Sequence, residues 1–322
     1  MKKILLIYIL LMVASVAMSQ TEKIINPADL KQQTVITEPL SLNKGFFRVG
    51  LFYTYSALDK YFNESKKKNY FPESTWGSSS GIQLWLQYGI SDRLMVEFGV
   101  PYNNDLTNIH RKIYIPESDT SKTYNASNRG RGIGDIIASA TYQIIPSKDN
   151  KFSLKANLDL TIPTGRKNFK NVVSSDQYDG PTGYGSFSLT PRVTARMLVY
   201  PYSFTAYASF NYNFNCNRML YPTDTKETNI MDAYSLIGGA SANIHLNEWI
   251  ALVNEINFSY WGKDKIEDVP ASTLYTKWAL SYEPRIVFQI RRFRLGEAVY
   301  IPLKGKYVGA NVMYVIMAQY VF

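Results

Sequence analysis

The stretch Phe152-Ser153-Leu154-Lys155-Ala156-Asn157-Leu158-Asp159-Leu160-Thr161-Ile162 alternates without a break. Phe152, Leu154, Ala156, Leu158, Leu160 and Ile162 are apolar, and every residue between them is polar. Successive side chains of a strand point to opposite faces of a sheet, so this segment has one greasy face and one wet face. A helix would scatter the same residues around its circumference. The pattern recurs along the chain. Ile82, Leu84, Leu86, Tyr88 and Ile90 alternate with Gln83, Trp85 and Gln87, and Leu94, Val96, Phe98 and Val100 with Met95, Glu97 and Gly99. Near the end Trp278, Leu280, Tyr282, Pro284, Ile286 and Phe288 alternate with Lys277, Ser281, Glu283, Arg285 and Gln289.

Segments of this kind predict strands near 45–57, 80–90, 92–101, 132–145, 150–163, 184–197, 201–215, 232–245, 248–261, 275–289, 292–302 and 308–322. Each is long enough to cross a hydrocarbon core at the usual tilt. The connections alternate in length. Short turns fall at 89–92, 146–150, 199–201, 246–248 and 290–292, and long polar connections at 58–79, 102–131, 164–183, 216–231 and 262–274. Short turns at one end and long loops at the other are the plan of an outer-membrane barrel, with both termini on the short-turn, periplasmic side. The expected fold is therefore all-β, a transmembrane antiparallel up-and-down barrel of about twelve strands.

Period two also fits a soluble sandwich, so other features must decide. Residues 1–19 carry Lys2 and Lys3, an apolar run from Ile4 to Ala17, and small residues Ala17 and Ser19, the pattern of a secretory signal peptide. Residues 20–44 read as a periplasmic or lumenal segment, and 45–322 as the barrel. Tyrosine and tryptophan crowd the expected strand ends, among them Tyr53, Tyr55, Tyr102, Tyr142, Tyr202, Trp249, Tyr260 and Trp261, where interfacial girdles belong. The chain closes on Tyr314, Ile316, Ala318, Tyr320 and Phe322 at every second position, a C-terminal strand of the outer-membrane type. These features place the protein in the outer membrane of a Gram-negative bacterium.

If the apolar phase meets lipid, the opposite phase faces the lumen. It carries Arg48, Glu97, Asp135, Lys155, Asp159, Arg192, Arg196, Glu255, Lys277, Glu283, Arg285 and Arg294, the lumen-lining candidates. An Arg or Lys at the midplane on the lipid side would cost about 2–4 kcal/mol, so their phase tests the register. Glu297 breaks it, falling in phase with Leu295 and Val299, and points to a bulge or a shifted register. The charges suit either an ion-pair network that fills a narrow barrel or a polar path that selects solutes.

Gly130-Arg131-Gly132-Ile133-Gly134-Asp135 opens one strand, and the hairpin after it ends in Pro163-Thr164-Gly165; Gly180-Pro181-Thr182-Gly183-Tyr184-Gly185-Ser186 precedes a later strand. The arrangement resembles the outer-membrane protein family named for the meta-cleavage pathway of phenol degradation. That resemblance implies a channel or transporter for a small, hydrophobic or aromatic solute, and no catalytic activity. The alternative is a closed structural or surface-interaction barrel whose long extracellular loops bind a partner. Read on its own, the glycine pattern is architectural: no helix follows it to receive a phosphate, as a nucleotide fingerprint requires.

Composition narrows the remaining chemistry. Cys216 is the one cysteine and His110 and His245 are the two histidines, too few for a Cys-rich zinc site or a histidine cluster, and neither histidine stands in a local nucleophile pattern of the kind a membrane hydrolase needs. No metal, cofactor or catalytic residue is expected. The net charge of +9 comes without a Lys/Arg stripe interleaved with stacking aromatics, which argues against nucleic acid. The expected partners are outer-membrane lipid, lipopolysaccharide phosphates meeting Lys66-Lys67-Lys68, and a small-molecule solute, with the protein a monomer or weak homo-oligomer.

Overall fold

The computed structural model describes residues 42, 44–64, 68–70, 75–115, 120–145, 152–174, 177–199, 201–219, 226–247, 249–267, 275–290 and 292–322. The signal-peptide reading of 1–19, nearly all of the 20–44 segment, and Lys66-Lys67 lie outside the described residues. Twelve strands build the barrel: β1 (Phe47–Leu58), β2 (Thr75–Gly89), β3 (Leu94–Ile115), β4 (Ile136–Ile145), β5 (Phe152–Ile162), β6 (Ser188–Val199), β7 (Tyr202–Asn213), β8 (Ser235–His245), β9 (Ile250–Trp261), β10 (Lys277–Ile290), β11 (Phe293–Lys306) and β12 (Met313–Val321). Each pairs antiparallel with the next. The cylinder closes where β1 meets β12, from Arg48↔Val321 to Ser56↔Met313, and the Phe322 amide donates to the Phe47 carbonyl (2.8 Å). Closure leaves the barrel with no unpaired edge, which lipid demands because it offers backbone amides no water.

The two faces are inverted relative to a soluble sheet. Leu51, Leu158, Val193 and Ile256 are exposed on the outside, Ile256 by 54%, while Arg48, Glu255 and Arg285 are buried inside. Aromatic side chains collect at both ends. Phe47, Phe322 and Tyr320 pack together at the short-turn end, and Phe210, Tyr234, Tyr260, Phe258 and Trp278 form a run near the long-loop end. Rings at these two levels sit where an apolar body and a polar tip are both satisfied.

Three features depart from the sequence reading. The region expected as a polar loop, 102–131, is mostly strand: β3 runs on to Ile115 and pairs with Thr120–Ile133, from Tyr102↔Ile133 to Ile115↔Thr120. The extension is paired on both sides, β3 with β2 as far as Thr75↔Ile109 and the returning strand with Gln177–Asp179, and its sequence carries none of the sustained apolar alternation by which the other strands are recognised. The inner face is also not uniformly wet. Ala251, Val253, Val287, Ala298, Val315 and Met317 are buried in the inward phase and form a small apolar core at the short-turn end. Finally, Glu297 sits in an unbroken register between Ile286 and Ile316, on the outward face; the irregularity of that strand pair lies between Leu280 and Ser281. Glu297 is four residues into β11, close enough to the short-turn interface for its carboxylate to reach toward headgroups.

Placing a charge on the outer belt should be costly at mid-strand. Ile256→Arg is expected to lower stability by about 2–4 kcal/mol and Ile256→Val by little, read from urea titrations of the protein folded in lipid vesicles.

Candidate functional site

The bore divides into a filled half near the short turns and an open half near the long loops. In the filled half a polar chain runs around one wall. Arg48 Nε on β1 donates to Gln87 Oε1 on β2, and Gln87 Nε2 donates to Glu97 Oε2 on β3. Thr141 Oγ1 on β4 donates to Glu97 Oε1 (3.2 Å), and Asn157 on β5 is hydrogen-bonded to Thr141 (2.9 Å). Five consecutive strands are thereby stitched at one level.

The opposite wall carries a second cluster. Arg285 Nη2 donates to Glu255 Oε2 (2.8 Å) and lies 3.0 Å from Glu283 Oε1, which also accepts from Arg285 Nε (3.0 Å). Tyr207 Oη donates to Glu255 Oε1 (2.9 Å), reaching from β7 across β8 to β9. It crosses at Gly239, where a Cβ would stand 2.4 Å from Asn257 Oδ1 and 2.7 Å from the Tyr207 ring. The Arg192 guanidinium lies 5.9 Å from the same ring. Two acids against one buried arginine are stable only as a hydrogen-bonded set, so removing one member leaves an uncompensated charge.

Of the twelve candidates, Lys155, Arg196 and Arg294 are also buried in this half, Arg294 donating to Gln289 Oε1 (3.0 Å); Asp159 and Arg192 are half-buried. Asp135 and Lys277 are apart, at the long-loop end. Nothing along the chain marks Tyr207, Gln87 or Asn257 as members of these clusters, since uncharged residues of the inward phase look alike until strand neighbours are known. Nor did it pair Ser203 with His245, whose Nε2 lies 3.4 Å from the serine Oγ. Both residues are buried, and Ser203 Oγ accepts from Asn243 Nδ2 (2.9 Å). The side chain of His110 lies outside those described.

The open half holds a cavity of about 710 Å³, lined by Tyr184, Trp261, Tyr300 and Tyr307 together with Asn103, Asp135, Asp232, Asp264 and Lys277. Its wall is fixed by a knot around Asp135. Asp135 Oδ1 accepts from the Gly165 amide (2.9 Å) and Oδ2 from the Tyr184 amide (2.6 Å). Thr182 Oγ1 donates to the Ile133 carbonyl (2.7 Å) and accepts from the Arg166 amide (2.9 Å), while Asn103 Nδ2 donates to the Thr182 carbonyl (2.8 Å). The glycines are small for a reason: a Cβ on Gly183 would stand 2.1 Å from Asp135 Oδ1, and one on Gly130 2.3 Å from the Pro181 carbonyl oxygen. The three glycine-containing motifs, far apart in the chain, thus meet at one carboxylate. Their repeated Pro-Thr-Gly was the visible signal.

Further ties hold the loops beside the cavity. Arg218 donates to the Tyr184 carbonyl (2.8 Å) and to Asp232 (2.6 Å), Lys277 pairs with Asp264 (3.3 Å), and Lys167 with Glu227 (2.9 Å). Hydrogen bonds from Lys167 and Asn168 hold the Glu227 carboxyl below its ordinary value. Tyr184 itself is 69% exposed at the cavity wall. Among the described residues no group of three or more His, Cys, Asp or Glu side chains is arranged to hold a metal ion.

Comparison with known proteins agrees with this architecture. The pattern of the family described as "Putative MetA-pathway of phenol degradation" matches residues 106–282, more than half of the chain. The crystal structure of an outer membrane channel from Pseudomonas putida F1 superposes with a TM-score of 0.67 at 13% identity, covering 90% of this chain and 100% of that one. The toluene transporter TbuX of Ralstonia pickettii aligns over 87% of this chain and 90% of its own at 10% identity, with a TM-score of 0.41, a likeness of barrel type and no more. No curated protein matches the sequence.

Two outcomes are expected at the knot and its neighbours. Asp135→Asn can accept from only one of the two amides, and should expose Gly165 and Tyr184 to faster hydrogen exchange with a loss of about 1–3 kcal/mol of local stability. The Lys167–Glu227 tie depends on an ionised Glu227 whose folded value is lowered, so its contribution is complete above the unfolded value and is lost as pH falls through the folded one. Exchange in residues 226–231 should therefore accelerate only in acid, and Glu227→Gln should remove that pH dependence.

Proposed function

The chain belongs to this phenol-degradation family of outer-membrane barrels, and on that premise we propose that it is a passive channel for a small, partly aromatic solute. The observation that carries the reading is the cavity at the long-loop end, whose walls combine ring faces from Tyr184, Trp261, Tyr300 and Tyr307 with carboxylates and an ammonium group. A phenol-like molecule presents an apolar ring and one hydroxyl, and such a wall offers stacking surface for the first and hydrogen-bond partners for the second. The family description, which names phenol degradation, supports the same solute class. In this reading the lumen-lining residues have two roles. Asp135 and Lys277 border the chamber, and the buried set from Arg48 to Arg294 forms the constriction that solute must part on its way to the periplasm.

No step of this process breaks a covalent bond. Solute enters from the long-loop side, exchanges water for aromatic contact in the chamber, and proceeds when the ionic layer rearranges. Tyr207 lies along the wall from β7 to β9 over Gly239 and holds Glu255 in the ionic layer, so removing its ring loosens that layer.

The close packing of the short-turn half favours one other reading, a permanently closed barrel that acts through its loops. The two part company in reconstituted membranes. A channel gives stepwise conductance in planar bilayers and phenol flux into proteoliposomes, and Tyr207→Ala raises both. A closed barrel is silent in both assays before and after the substitution, and that result would remove the channel reading.

A further inference from the structure

A second, smaller cavity of about 230 Å³ lies on the outside of the barrel near its long-loop end, where β1, β2, β3 and the returning strand Thr120–Ile133 stand side by side. Its geometry follows from register. Tyr53, Ile82 and Tyr102 are partners across β1, β2 and β3, and one rung further out Ser80 and Asn104 are partners, with Arg131 opposite Asn104. Directly opposed residues share a face, so Arg131 faces outward with Tyr102 and Tyr53, and Arg129, two residues back on the same strand, does as well.

The result is a floor of exposed ring and aliphatic surface, continuous with the lipid belt, beside two arginines whose Cα atoms are about 7 Å apart along the strand. Each arginine is oriented by its own neighbour: Arg131 Nε donates to Tyr102 Oη (2.9 Å) and Arg129 Nε to Asn104 Oδ1 (3.4 Å). Among the described residues neither has a carboxylate within ion-pair distance. Two oriented cations beside lipid, with no carboxylate at ion-pair distance among the described residues, favour an anion, and the planar fork of arginine suits the oxygens of a phosphate.

We propose that this pocket binds a phosphate group of the glycolipid that forms the outer leaflet, its acyl chains lying against Tyr53 and Ile82. Outer-membrane barrels carry their long loops on the outside, so the pocket stands at the depth of that leaflet's headgroups. Basic pockets at this level recognise lipid headgroups. The source is the lipid and not free phosphate, because the floor is apolar and faces the bilayer.

The test uses the folded full-length barrel in detergent and three probes: bisphosphorylated lipid A, the same lipid with both phosphates removed, and inorganic phosphate. Native mass spectrometry and the thermal unfolding midpoint report binding. Bisphosphorylated lipid A should reach half-saturation at a concentration about tenfold lower than the dephosphorylated lipid, and should alone raise the midpoint. The Arg129→Gln/Arg131→Gln double variant, whose folding is checked by heat-modifiable gel mobility, should bind both lipids equally. Equal binding of the two lipids by the native protein would overturn the proposal even if the variant failed to fold. A midpoint shift of the same size with millimolar inorganic phosphate would overturn the lipid as the source.

Discussion

Everything in this protein depends on one constraint: a sheet surrounded by hydrocarbon cannot leave a backbone amide unpaired. The seam between β1 and β12 meets it by closing the sheet on itself, with the final amide, that of Phe322, donating to Phe47. Once closed, the cylinder has an outside that must be apolar and an inside that need not be. The inverted burial of Ile256 and Glu255, neighbours in sequence, is that requirement expressed in two adjacent side chains.

A bore that is free to be polar still has to be filled or left wet, and this one does both at different depths. Near the short turns, long charged side chains reach across strands and satisfy one another, with Val253, Val287 and Met317 taking up the remaining space. Buried ion pairs of this kind add little net stability over an apolar filling, since desolvation offsets their attraction. Their use here is compatible with a layer that can be rearranged, because hydrogen-bonded charges have alternative partners in water whereas close-packed aliphatic groups do not. Toward the long loops the lining side chains, large rings among them, leave the bore open as the chamber.

The loops around that chamber are tied by hydrogen bonds to the strands beneath them. One carboxylate, Asp135, receives amides from two sides of the 163–187 connection, and glycines at 130 and 183 allow the backbones to approach so closely. Loops usually vary and move. A loop tied at Asp135, Thr182 and Arg166 instead forms a fixed wall, and it places Tyr184 at the cavity with its carbonyl engaged by Arg218.

The sequence by itself determined that the chain is a membrane barrel of about twelve strands, with the inward and outward phases of those strands and the end at which the chain closes. Period-two alternation is a local property, legible in Phe152 to Ile162 without knowledge of any other segment. It also marked the Pro-Thr-Gly motifs as architectural, though not what they enclose. Only the tertiary structure decided which inward residues touch, because contact across a barrel depends on which strands are neighbours and on register between residues far apart in the chain. Tyr207 reaches Glu255 because Gly239 lies between them, and Ser203 meets His245 because β7 and β8 are adjacent; no window along the chain contains either fact. The same holds for the ribbon above the membrane. Its sequence lacks the apolar alternation, so its signature is the ladder its strands form with each other and with their neighbours, and a ladder exists only between segments.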